Sequence, residues 1–173
     1  LELDTKKQWN ISNFDVIIGN PPYNAAGTKA TGNTIWQSFV KKSIELLNNN
    51  GHLCLIHPNG WRKPNTEKGK FYGLYKKMTK ENKMIYLEMH DHKDGMKQFK
   101  CGTRYDWYIL ENCNIYKDTI IDDEDRKVYD VNISEYKFLP NKNLDIYKDV
   151  FVKNGETGCK VLYDGSSYDP RKK

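Results

Sequence analysis

Apolar positions change their spacing several times along this chain. Residues 14–18 (FDVII) form a short β-branched run closed by Gly19, the pattern of a buried strand. Pro21 and Pro22 follow in the segment NPPYN and carry no backbone N–H, so a central ladder must stop there. Over residues 33–48 the spacing turns helical. Ile35, Trp36, Phe39, Val40, Ile44 and Leu47 fall on one stripe, with Asn33 or Thr34 as a cap and Gly51 beyond as a stop. Residues 53–56 (LCLI) predict a second buried strand ended by Pro58. Phe71, Leu74, Tyr75 and Met78 recur at i, i+3, i+4 and i+7 and predict a helix over 67–80. Strands are expected over 84–89 and 105–110, joined by a polar loop.

Strand–helix–strand–helix–strand order argues for an α/β sheet, parallel through its first three strands. The third and fourth strands have no helix predicted between them, which favours an antiparallel pair at the sheet edge. Past residue 111 the signals weaken. Short strands are expected at 127–131, 136–139 and 160–163, and a helical turn or two at 144–150.

Composition adds bounds. A chain of 173 residues suffices for one ordinary domain. Apolar residues are 38% and aromatics 13%, enough for a core, which argues against a wholly disordered chain. No apolar run approaches the roughly 20 residues of a membrane helix, and the opening LELDTKKQWN has no signal-peptide character. Cys54, Cys101, Cys113 and Cys159 match no zinc spacing and read as reduced thiols of a cytoplasmic protein. His52, His57, His90 and His92 build no metal site with them, and His90 and His92 read as a polar loop end. The net charge of +5 is uneven. Residues 62–104 hold twelve basic and five acidic residues, a net of +7, whereas 111–150 hold six and ten, a net of −4. A domain boundary is therefore expected near residue 112.

The stretch with chemistry is Asn20, Pro21, Pro22 and Tyr23, directly after a strand. In open α/β sheets ligands bind beyond the carboxyl ends of strands. The prolines stiffen the turn, Asn20 offers an amide acceptor and donor, and Tyr23 offers a flat ring. A planar heterocycle with an exocyclic amino group would stack on Tyr23. Its N–H groups would be accepted by the Asn20 side-chain oxygen and the Pro21 carbonyl. Two acceptors free the nitrogen lone pair from the ring, and this polarisation grows toward the transition state. An amide does not titrate near neutrality, so Asn20 is no general base. Trp36, Phe39, Tyr105, Trp107 and Tyr108 are expected as packing residues, His57 as a strand-end residue and Asp15 as structural.

The 14–24 segment resembles the catalytic motif of S-adenosylmethionine-dependent amino-methyltransferases, and its NPPY form most resembles the N6-adenine DNA methyltransferases of restriction-modification and phage systems. TIWQSFVKK, GHLCLIHPNGW and GTRYDWYILEN resemble later segments of the same group, so the likeness spans about residues 14–112. It implies the C-terminal half of a doubly wound, Rossmann-like sheet with an antiparallel edge strand. Residues 1–112 would be a partial catalytic domain, and 113–173 the start of a smaller DNA target-recognition region. It also implies double-stranded DNA as partner, with a flipped adenine held by Asn20 and Pro21, shaped by Pro22 and stacked on Tyr23. Arg62, Lys63 and Arg104 are the candidate phosphate contacts.

That resemblance calls for a glycine-rich S-adenosylmethionine turn, yet no G-x-G occurs among the 173 residues, so no cofactor-binding residue is assigned. The chain opens on leucine, and only about fourteen residues precede the motif's strand. A piece of a longer methyltransferase is therefore expected, lacking its N-terminal half and inactive alone. One edge of strand 14–18 should then be open or paired by another segment. Alternatives sharing the motif are RNA and protein-glutamine methyltransferases. A non-catalytic DNA-binding or specificity module is a further one.

Overall fold

The computed structural model describes residues 7–8, 10–25, 33–63, 69–114, 118–150 and 157. Six strands form one sheet: β1 (Phe14–Gly19), β2 (Leu47–Pro58), β3 (Lys83–His90), β4 (Tyr105–Glu111), β5 (Thr119–Asp122) and β6 (Val128–Val131). The helices are α1 (Trp36–Glu45), α2 (Leu74–Thr79), α3 (His92–Phe99) and α4 (Leu144–Val150). The sheet order is β1-β2-β4-β3-β5-β6.

β1 and β2 are parallel, with Ile17 opposite Leu53 and Gly19 opposite Leu55. β4 runs antiparallel to both β2 and β3, so β2 and β3 share a direction without touching. The expected antiparallel pairing of the third and fourth strands is thus present, but it lies inside the sheet. β5 adds parallel to β3, and β6 closes that side as the antiparallel edge. Two of these elements escaped sequence reading. β5 is only four residues long, and α3 occupies the supposed polar loop. Apart from Gly95, α3 buries little, with Met96 and Phe99 both exposed, so it shows no apolar stripe. Its start is set by Asp91, whose carboxylate accepts from the N–H groups of Lys93 and Asp94, each at 2.9 Å.

Segment 136–139 is not a strand, and 160–163 lies outside the described residues. α2 begins at Leu74, later than its apolar spacing implies, because Gly73 stands at φ 75° and breaks the helix there. The compositional change near residue 111 does not interrupt the fold. Ile121, Ile133, Tyr136, Leu139 and Leu144 join the same core as Trp36, Val40, Leu53, Leu87 and Leu110.

That core lies on one face of the sheet, under α1 and α2. Along β2, Leu53, Leu55 and His57 alternate inward, as a two-residue period requires. β1 differs from the buried strand expected of it. Ile17 packs on the core, but Val16 is 57% and Ile18 75% exposed, because among the described residues β1 is an edge strand covered on one face. Phe39, expected in the helix stripe, is also exposed, whereas Trp36 is fully buried.

Arg62 overturns its assignment as a phosphate contact. It is 3% exposed, and its Nε lies 3.1 Å from the Asp106 carboxylate. It also donates to the Pro140 carbonyl (3.1 Å) and the Asn141 side-chain oxygen (2.9 Å). Trp61 Nε1 donates to the same Asp106 oxygen at 2.9 Å. Arg62 therefore ties the 139–141 segment to β4 and has no reach into solvent. Removing one partner of a buried pair leaves the other stranded, at a cost of about 3 kcal/mol. Arg62→Ala is expected to lower unfolding stability by about that amount in urea denaturation. A loss within about 0.5 kcal/mol, the range of ordinary surface substitutions, would contradict the internal role.

Candidate functional site

The 20–23 turn leaves β1 at its carboxyl end. The ladder with β2 ends at the Gly19–Leu55 pairing, before the two prolines. Asn20 is exposed, Pro21 buried, Pro22 exposed and Tyr23 half-buried. The Ile35 N–H donates to the Tyr23 carbonyl at 3.1 Å, and Asn24 bridges Thr34. The exit of the turn is thereby fastened to the start of α1.

Tyr23 packs against the core and meets the Phe99 ring edge-on, 6.4 Å between centroids and 74° between planes. Phe99 continues to Tyr105 (4.9 Å, 83°), and Tyr105 stacks flat on His90 (4.4 Å, 3°). An aromatic chain thus runs from the turn to the carboxyl end of β3. The Tyr23 hydroxyl is buried without a hydrogen-bond partner among the described residues. Burial, and then the neighbouring Cys101, push its pKa above the usual 10, so the phenol stays neutral at physiological pH.

Phe99 was missed by sequence reading because α3 was. The signals were Asp91 as a cap and Gly95. A Cβ on Gly95 would sit 2.2 Å from the Thr103 carbonyl oxygen, so α3 lies against the chain entering β4 only because that residue is glycine. This close approach sets Phe99 beside Tyr23.

Support from below comes from His57. Its ring stacks on Trp36 (4.3 Å, 15°), and its Nε2 lies 3.1 Å from the Tyr108 hydroxyl. Its Nδ1 is 3.0 Å from the Pro58 carbonyl. Nδ1–H donating there leaves Nε2 to accept from Tyr108, which is the neutral imidazole. Tyr105 is 5% exposed and Tyr108 fully buried, while Trp107 is half-buried and tilted on Tyr86. Asp15 accepts from the Asn48 side chain at 2.7 Å, joining β1 to β2.

The sequence-predicted residues divide sharply. Asn20, Pro21, Pro22 and Tyr23 form one turn. Arg62 is internal. Lys63 is exposed, and Arg104, 42% exposed, donates from Nε to Glu124 at 3.0 Å. His90 lies between Glu88 and Asp94, each 3.0 Å from a ring nitrogen, and His92 opens α3, so neither is a loop end. Cys54, Cys101 and Cys113 form no disulfide, and Cys159 lies outside the described residues. Among the described residues no group of His, Cys, Asp and Glu could hold a metal ion. No helix there is long and apolar enough to cross a membrane.

The molecule is thus a mixed α/β sheet that carries this turn at the carboxyl end of β1. A family model described as Eco57I restriction-modification methylase matches residues 2–99, and the chain belongs to that family. An uncharacterized adenine-specific methylase of Mycoplasma pneumoniae (strain ATCC 29342 / M129 / Subtype 1) is 42% identical over 60 residues. That match covers 32% of this chain and 14% of the relative. Among solved structures, the M protein of type I restriction enzyme EcoKI superposes with a TM-score of 0.51 at 18% identity, over 66% of this chain and 26% of that one. A chain from a structure of type I restriction-modification complex assembly gives 0.50 at 14% identity, over 65% and 24%. At these identities the two structures speak for the fold alone. This chain spans about a quarter of each of them and a smaller share of the curated relative.

Burial lowers the His57 pKa from 6.5 to about 4. Its contribution to stability is present above pH 6.5 and lost as pH falls toward 4. Asp106 acts in the opposite sense. Burial raises its pKa from 3.8 to about 6, against the pull of Arg62, so its contribution is present below 3.8 and lost as pH rises through 6. Nitrogen NMR is expected to show His57 neutral at pH 6, with a midpoint about 4; a midpoint near 6.5 would contradict its burial.

Proposed function

We propose that the protein carrying this chain is a site-specific DNA methyltransferase that modifies the N6 amino group of adenine, as part of a restriction-modification or phage system. The observation that carries this reading is the 20–23 turn at the carboxyl end of β1. Its Asn20 is exposed, and its Tyr23 ring lies against Phe99. Membership of the Eco57I methylase family and the adenine-specific methylase of Mycoplasma pneumoniae support it.

On this reading an adenine leaves the duplex and enters beside the turn, because its N6 is shielded while paired. Tyr23 stacks the base, and Phe99 borders the same space edge-on. The Asn20 side-chain oxygen and the Pro21 carbonyl accept the two N6 hydrogens and localise the lone pair on nitrogen. Pro21 and Pro22 hold those acceptors in place without freezing cost at the moment of reaction. Neither Asn20 nor the neutral Tyr23 takes up a proton, so the proton lost from N6 passes to solvent.

S-adenosylmethionine is the methyl donor on this reading. The residues described here fit the base and not the cofactor. Gly19, the glycine nearest the motif, is extended strand, and a Cβ on it would meet Leu55 Cδ2 at 3.4 Å, so it forms no cradle. We assign the cofactor to residues other than the described ones, beside the edge of β1 that is unpaired among the described residues, and expect the chain alone to transfer no methyl group. Lys63 and Arg104 are retained as phosphate contacts, and the residues after 112 as the beginning of target recognition.

The test is Asn20→Ala in the full-length protein, followed by methylation of duplex DNA with labelled S-adenosylmethionine. Losing one preorganised acceptor of this kind costs about 100- to 1,000-fold in rate. That loss, with DNA binding kept, is expected. Unchanged methylation would refute the role given to Asn20.

A further inference from the structure

A groove of about 820 Å³ runs between α1, α2 and residues 136–137. Lys41, Lys76, Lys77, Lys80 and Lys137 line it, against Glu45 and Glu81. Five positive charges face two negative ones, leaving an excess of three. Lys76 pairs with Glu81 at 3.0 Å, in water-exposed geometry that holds the two only weakly. Beneath the lysines the surface is built and fixed. Tyr75 and Tyr136 are both buried, and the Tyr75 hydroxyl donates to the Tyr136 carbonyl at 2.8 Å. At the rim Tyr72 is half-exposed.

Contacts of the backbone and two lysines join this groove to the 20–23 turn. Asn24 bridges Thr34, and the Thr34 carbonyl accepts from Lys70 Nζ at 3.4 Å. Lys41 Nζ in turn donates to the Tyr72 carbonyl at 2.9 Å. The basic track therefore begins where the motif enters α1 and continues down the seam between the helices. Of the twelve basic residues in 62–104, Lys76, Lys77 and Lys80 line this seam.

We propose that the groove is a nucleic-acid contact surface that holds the phosphate backbone of DNA flanking the flipped base. Lysine suits that ligand. Its ammonium is a point charge on a flexible stem, which follows a backbone without reading sequence, and among the described residues no arginine fork lines the groove. The Tyr72 ring at the rim offers a stacking face for a sugar or base. The inference rests on the DNA-methyltransferase reading and adds to it a second contact surface away from the target base.

The experiment combines Lys76→Gln, Lys80→Gln and Lys137→Gln in the full-length protein. All three residues are exposed and none belongs to the turn. Duplex binding is measured by fluorescence anisotropy across a salt series, with the arginine triple variant alongside. Each phosphate contact releases about 0.9 counterion, so three lost contacts should make the log–log salt slope shallower by about 2.7. The same loss is expected for cognate and unrelated duplexes, with the methylation rate at saturating DNA unchanged. The arginine variant should restore the slope. An unchanged slope and affinity in the glutamine variant would overturn the groove while the wild type still methylates, leaving the enzymatic reading intact. Normal duplex binding with lost assembly onto a partner subunit would also overturn it, in favour of a protein interface. A wild type that neither binds nor methylates duplex DNA would remove both readings.

Discussion

Two prolines without N–H donors end the β1–β2 ladder, and the geometry of the site depends on that stop. The pairing runs to Gly19 opposite Leu55 and goes no further. Asn20 is therefore delivered into solvent at the carboxyl end of the sheet. Tyr23 turns back against the core, where its carbonyl accepts the N–H of Ile35 and its ring finds Phe99. Had the strand continued, Asn20 would be committed to a ladder and could not meet a ligand. The same stop fixes where α1 begins, and through α1 it places Trp36 against His57 beneath the site.

A second constraint supports the opposite wall. Gly95 lets α3 approach the Thr103 carbonyl closer than any side chain would permit, and this brings Phe99 to Tyr23. Tyr105 and His90 extend the aromatic chain to the end of β3. The wall therefore depends on a helix with almost no buried apolar surface of its own. It is held by a cap and a glycine contact.

That physical difference explains what sequence reading could and could not find. α1 and β3 have clear apolar periodicity because each packs into one core, and β3 and β4 lie where they are expected, but α1 ends at Glu45 and β2 begins at Leu47, inside the stretch read as helix and six residues before the expected strand. The turn at 20–23 was visible because proline chemistry is local. α3 was hidden because exposed Met96 and Phe99 carry no stripe, and β5 because four residues are too few for one. The position of β4 between β2 and β3 was also hidden, since direction follows from connection length whereas order in the sheet depends on contacts distant in sequence. Arg62 misled for an electrostatic reason. A basic residue in a basic segment reads as surface charge, but Asp106, 44 positions along the chain, supplies a buried counter-charge. Count of charge along a segment says how much is present and not which of it faces water.

The central claim is that the 20–23 turn serves an adenine amino group in DNA. The most direct measurement is the chemical identity of the product. Duplex DNA is incubated with the full-length protein and isotopically labelled S-adenosylmethionine, digested to nucleosides and resolved by mass spectrometry. The account predicts that the label appears on N6-methyladenine. Label on a cytosine instead, or its transfer to RNA or to a protein glutamine while DNA stays unmodified, would contradict it.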